Sequence, residues 1–167
     1  MKMKLLLTLI IGCFLSASAQ KTVVDVAVGS KDHTTLVTAV KAADLVTTLQ
    51  GSGPFTVFAP TNEAFGKLPK GTVESLLKPE SKATLTKILT YHVVSGKLNA
   101  ADVLKAIKDG KGMVTLTTVS GGKLTAALKD GKVVLKDEKG GISTVTTTDL
   151  NAGNGVVHVI NTVLMPK

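Results

Sequence analysis

The chain has 167 residues and a formal charge of +8, from 20 lysines against 12 acidic groups, with no arginine and a single cysteine, Cys13. One cysteine excludes a disulfide framework and a thiolate metal cluster. Without arginine forks, and with aromatic rings at only 3% of positions, the composition argues against nucleic-acid binding, which draws on both.

Met1 to Lys4 is a short basic start, Leu5 to Leu15 is mostly apolar, and Ala17-Ser18-Ala19 has the small-x-small form of a signal-peptidase site. This predicts a signal peptide over 1–19 and one domain over 20–167, exported to the cell surface, the periplasm or the medium. An alternative takes Ile10-Ile11-Gly12-Cys13 as a lipobox, with the protein anchored through a lipidated Cys13. No segment after the leader approaches the roughly 20 apolar residues of a membrane span. Removing Lys2 and Lys4 with the leader leaves 18 lysines against 12 acids, a balance of +6. Many lysines lie in turn-like contexts such as Lys129-Asp130-Gly131-Lys132, which read as a solvated surface. Attraction to an anionic cell surface or polysaccharide stays open.

From Asp32 to Leu49 the apolar residues recur at helical spacing, with Asp32 as N-cap, until Gly51-Ser52-Gly53-Pro54 interrupts. Phe55 to Ala59 is a short β-prone run stopped by Pro60. Thr61 or Asn62 then caps a short helix with Glu63 in its first turn. Helices follow over Thr72–Leu77 and Glu80–Tyr91, and Asn99-Ala100-Ala101-Asp102 has the form of a capping box for another. Past Met113 the pattern becomes short strands and tight turns: 114–119, 124–128, 133–135, 142–147 and 156–164. The expected class is α+β, with helices packed on antiparallel sheet.

Three segments carry a family resemblance: FTVFAPTNEAF at 55–65, YHVVSGKL at 91–98, and NGVVHVINTVLMP at 154–166. In order and separation they resemble the first block, the Tyr-His motif and the second block of a fasciclin I domain, covering about Val23 to Pro166. The resemblance implies a wedge of antiparallel β-sheets with a helical layer and a role in adhesion or extracellular protein contact, without catalysis. It also marks Tyr91 and His92 as candidate partner-binding residues, since the Tyr-His segment is implicated in integrin recognition in animal members. Two positions depart from the family pattern: Asn161 stands where aspartate is usual, and Ser95 where proline is usual.

His158 lies on a strand whose same-face neighbours, Val156 and Ile160, are apolar, so a core imidazole paired with backbone or hydroxyl is the simplest reading. His92 follows Leu85, Ile88 and Leu89 at helical spacing and sits on or beside the apolar stripe. Thr61, Asn62, Glu63, His158 and Asn161 are accordingly read as structural. His33, His92 and His158 have no metal-ligand spacing, and no nucleophile elbow or phosphate loop occurs, so no metal, cofactor or enzymatic activity is expected. The leading partner is an extracellular or cell-surface protein, marked by an exposed apolar patch rimmed by lysines. A polysaccharide or matrix binder would need exposed rings, and a small apolar-ligand carrier an aliphatic pocket of about 300 Å3 or more. A weak homodimer is a further alternative.

Overall fold

A computed structural model describes residues 20–167, so the leader and the Cys13 lipobox lie outside the described residues. Helix α1 (Val23–Val28) opens the domain, and its valine-rich sequence is made helical by its N-terminus. The Thr22 backbone N–H donates to the Asp25 carboxylate at 2.8 Å, and the Asp25 N–H donates back to Thr22 Oγ1 at 3.3 Å.

The long helix expected over 32–49 is divided. Ser30, not Asp32, caps a 3-10 turn (Lys31–His33), which runs into α2 (Thr34–Ala42). Asp44 then takes a left-handed φ of 55°, and the Leu45 N–H reaches back to the Val40 carbonyl at 3.0 Å before α3 (Val46–Leu49) begins. That six-to-one bond ends α2 in a Schellman-type turn, a conformation aspartate tolerates because of its short polar side chain.

Strand β1 (Phe55–Pro60) leads to α4 (Asn62–Gly66), α5 (Thr72–Leu76), a 3-10 turn (Pro79–Ser81) and α6 (Lys82–Tyr91). A three-residue strand β2 (Val93–Ser95), not anticipated from the sequence, precedes α7 (Ala100–Asp109). The meander follows as β3 (Met113–Thr117), β4 (Lys123–Lys129), β5 (Lys132–Lys136) and β6 (Ile142–Ala152), ending in β7 (Gly155–Ile160).

The strands form one sheet in the order β2-β1-β7-β6-β5-β4-β3. It is mixed: every pair is antiparallel except β1 and β7, which run parallel from Phe55 opposite Gly155 to Pro60 opposite Ile160. A Cβ at Gly155 would lie 2.0 Å from the Phe55 carbonyl oxygen, so only glycine lets this pair begin where it does. Register shifts along β6 let one strand serve both halves of the sheet. The two edges meet where Val94 bridges Thr118 and the Val119 N–H donates to the Val93 carbonyl at 2.7 Å, closing the wedge.

Strands β1 and β7 are covered on both faces, which explains their near-continuous apolar sequence. Val57 and Val157 face α1, α2 and α6 in one core, with Leu36, Val40, Leu85 and Leu89. Phe58 and Ile160 face the opposite way into a second core, with Tyr91, Val103, Ile107, Leu124 and Leu135. Asn154 ties the helical layer to the sheet: its Oδ1 accepts the Val23 N–H at 2.9 Å, and its Nδ2 donates to the Leu49 and Gly51 carbonyls.

Candidate functional site

Thr61, in the first of the three motif segments, caps α4 by accepting the Ala64 N–H at 3.2 Å on its hydroxyl, and Glu63 lies in the first turn. Asn62 does a separate job, accepting the Thr35 N–H at 3.0 Å and donating to the Lys31 carbonyl at 3.0 Å, so it fastens α4 to the start of α2. Asn161 accepts the Thr144 N–H at 2.9 Å and the Thr162 hydroxyl at 3.1 Å on Oδ1. These contacts fasten backbone segments to one another.

Both histidines of the motifs are buried, each with two ring contacts. His158 Nδ1 accepts the Asp149 N–H at 3.3 Å, which leaves Nε2 to donate to the Leu98 carbonyl at 2.7 Å. It lies opposite Phe58 in the parallel pair, and the two rings stack with centroids 5.7 Å apart. His92 has the reverse arrangement: Nε2 accepts the Leu164 N–H at 3.0 Å, and Nδ1 donates to the Ile88 carbonyl at 2.8 Å. Burial pulls the His92 pKa down to about 4.

Tyr91 is fully buried and His92 is 2% exposed. The Tyr91 hydroxyl donates to the Lys123 carbonyl at 2.6 Å and accepts the Glu138 N–H at 3.2 Å. Burial raises its pKa to about 12. Both rings of the candidate partner-binding pair point inward: Tyr91 packs in the second core at the end of α6, and His92 is held between the Ile88 carbonyl and the Leu164 N–H. Their hydrogen bonds tie the end of α6 to the start of β4, to Glu138 and to Leu164.

Two surface features were not legible as sites. The first is the outer face of the meander. Cross-strand register sets Met113, Ala127, Val134 and Thr144 in one row, and Thr115, Thr125, Lys136 and Ile142 in the next. Lys123 lies opposite Thr117, and Lys129 opposite Lys132, on the same face. Met113 is 60% and Ile142 54% exposed. The face thus presents apolar and threonine side chains among four lysines, and no carboxylate occupies a paired position on it. Alternation in the strands carried this signal, but the register needed to assemble it came only with the fold.

The second is a cavity of about 200 Å3 between α1, α2, α3 and the sheet, lined mainly by valine and leucine side chains. It has the aliphatic character expected of a ligand pocket, though it is smaller than the roughly 300 Å3 of a drug-sized site. Among the described residues the aromatic rings offer no platform for sugars: Phe58, Phe65 and Tyr91 are buried and Phe55 is half-buried against the helical core. Among the described residues no group of three or more His, Cys, Asp or Glu side chains is placed to hold a metal ion, and no helix is long and apolar enough to cross a membrane.

Comparison with known proteins places this architecture. The fasciclin domain model matches residues 31–166. Protein sll1483 of Synechocystis sp. is 53% identical over 145 residues, covering 87% of this chain and 73% of that protein. Transforming growth factor-beta-induced protein ig-h3 of Sus scrofa is 40% identical over 150 residues, and there the match spans 19% of the longer protein. Among solved structures, a domain pair from the insect cell adhesion molecule fasciclin I superposes with a TM-score of 0.77 at 18% identity, over 87% of this chain and 51% of that one, a likeness of fold. The expected α+β wedge is the fold observed, with the β1–β7 pair parallel, and the chain belongs to the fasciclin domain family.

Proposed function

We propose that this protein is an exported, non-catalytic adhesion module that binds an acidic extracellular or cell-surface protein through the outer face of its meander. The observation that carries the reading is that face itself, a half-exposed apolar row running from the exposed Met113 to Thr144, with Lys123, Lys129, Lys132 and Lys136 around it. Lys129 opposite Lys132 places like charges together, an arrangement that costs stability in an isolated sheet and is relieved by an anionic partner. Apolar side chains supply contact area while the lysines steer and select. Export rests on the leader pattern of residues 1–19. The insect fasciclin I whose domain pair has this fold is a cell adhesion molecule, which is consistent with the class of function.

The test is adhesion of cells, and capture of an acidic surface protein from them, by the immobilised protein at low and high salt. Lys132→Glu/Lys136→Glu is expected to abolish binding with an unchanged circular dichroism spectrum, and Met113→Ala to weaken it. Wild-type binding should fall with salt, as contacts between exposed charges do. Adhesion insensitive to the charge reversal moves recognition to another face, and no adhesion at any salt ends the reading.

A further inference from the structure

From the cavity under α1 we infer that the domain takes up the hydrocarbon portion of a small amphiphile, about seven carbons long, and leaves its polar end at the mouth. The binding is independent of protein contact through the meander face, whose residues form no part of the wall.

The cavity holds about 200 Å3. That exceeds the ~150 Å3 at which an engineered aliphatic cavity stays dry and binds benzene. Its interior is built from side chains such as Val24, Val40, Leu49 and Leu89. The one polar side chain on the inner wall, His92, already spends both ring nitrogens on Ile88 and Leu164. A water molecule needs two to four polar partners, and the lining is overwhelmingly apolar. An alkyl group gains the whole transfer free energy on entering.

The mouth is defined by lining residues that also meet solvent: Asp25, Lys41 and Gln50, with the exposed Val28 beside them. One anion, one cation and one amide do not select a sign of charge, so a hydroxyl, carboxylate or ammonium end fits comparably. Chain length sets the affinity instead. A carbon group takes about the liquid volume of a water molecule, ~30 Å3, so roughly seven fill the space. The outer wall is α1, which lies before residue 31, where the family match begins, so the cavity is completed by a segment outside that match.

The experiment titrates the purified protein with 1-alkanols from butanol to decanol, reading the methyl signals of Val24, Val40 and Leu49 by NMR. Saturable shifts are expected, with affinity rising roughly fourfold per methylene up to about heptanol and then levelling. Octanoate and octylammonium should bind within a few-fold of octanol. Val40→Phe fills the space from α2, and Ala27→Leu fills it from α1. Whichever of these retains the native circular dichroism spectrum should weaken hexanol binding at least tenfold. The proposal is overturned by an absence of saturable shifts, by shifts that survive in a folded filled variant, or by affinity that keeps climbing through decanol, which marks surface partitioning.

Discussion

His92 Nε2 accepts the Leu164 N–H at 3.0 Å, a bond between the end of α6 and the last stretch of the chain, 72 residues on. It requires an unprotonated nitrogen. Burial lowers the His92 pKa from 6.5 to about 4, with the hydrogen bond to the Ile88 carbonyl and then the charge of Asp137 acting in the other direction. In the unfolded chain the ring takes up its proton at the ordinary value, so between pH 6.5 and 4 the unfolded state binds more protons than the folded one. The stability tied to neutral His92 is complete above about pH 6.5, declines as pH falls toward 4, and changes no further below that. The span corresponds to about 3 kcal/mol. His33, also lowered by burial, adds to the loss in the same direction. Urea denaturation at pH 7 and pH 4.5 should show this decline in the wild type. His92→Gln, less stable at pH 7, should lose distinctly less on acidification, and an equal loss would show that another group governs the acid limb.

Tyr91 gives a prediction at the alkaline end. It is the only tyrosine and the chain has no tryptophan, so ultraviolet absorbance near 295 nm reads this hydroxyl alone. With the folded pKa raised to about 12 and the unfolded value near 10, the unfolded state loses its proton first. Stability is therefore unaffected below pH 10 and falls as pH rises from there toward 12. The absorbance midpoint should lie near 12 in the folded protein and near 10 in urea. Tyr91→Phe removes one donor to the Lys123 carbonyl and one acceptor for the Glu138 N–H, and should cost about 1–2 kcal/mol. If the ring instead met a partner directly, the same variant would lose adhesion while keeping its stability.

Gly122 lies against the face of that ring. A Cβ there would sit 2.7 Å from Tyr91 Cε2 and 2.8 Å from Cδ2, and the ring is fully buried with its hydroxyl held by Lys123 and Glu138. Gly122→Ala should destabilise by about 1–3 kcal/mol through overpacking. Gly66, in α4, meets nothing within 4 Å, and Gly66→Ala should be neutral or stabilise by roughly 0.5 kcal/mol. Thermal unfolding of the two variants side by side separates the cost of the clash from the general effect of replacing glycine. Equal shifts would mean that the Tyr91 contact carries no energetic weight.

Much of the fold was readable in the chain because local chemistry and global packing agree there. The Asp130-Gly131 hairpin, the Thr61 cap and the Asn99-Asp102 pair are written in a few consecutive residues, and each appears as expected. The parallel register of β1 and β7 was hidden because it joins segments almost a hundred residues apart, and periodicity carries no strand direction. Helix α1 was hidden because Val23, Val24, Val26 and Val28 favour strand, a preference overridden by the Thr22–Asp25 box and by burial of one face. The motif histidines could be read as core residues from their apolar neighbours. The lysine-rimmed face could not be read, since it exists only when alternate residues of four strands are set in register. The cavity likewise depends on the space left between three helices, which no single segment encodes.

Asn161, where the family pattern has aspartate, provides a direct measure of what that position does. Its Oδ1 carries both side-chain contacts, accepting the Thr144 N–H and the Thr162 hydroxyl, and a carboxylate oxygen can accept the same two bonds. The position is half-buried, and Lys67 Nζ donates to the Asn161 carbonyl at 2.6 Å, bringing a cation close to any new negative charge. Asn161→Asp is therefore expected to change stability by less than about 1 kcal/mol at pH 7. Asn161→Leu, which keeps the volume but strands the Thr144 N–H, should cost about 1–3 kcal/mol. Denaturant midpoints for the two variants decide the matter. A large loss on Asn161→Asp would mean that the amide nitrogen, and not Oδ1, holds the β6–β7 junction together.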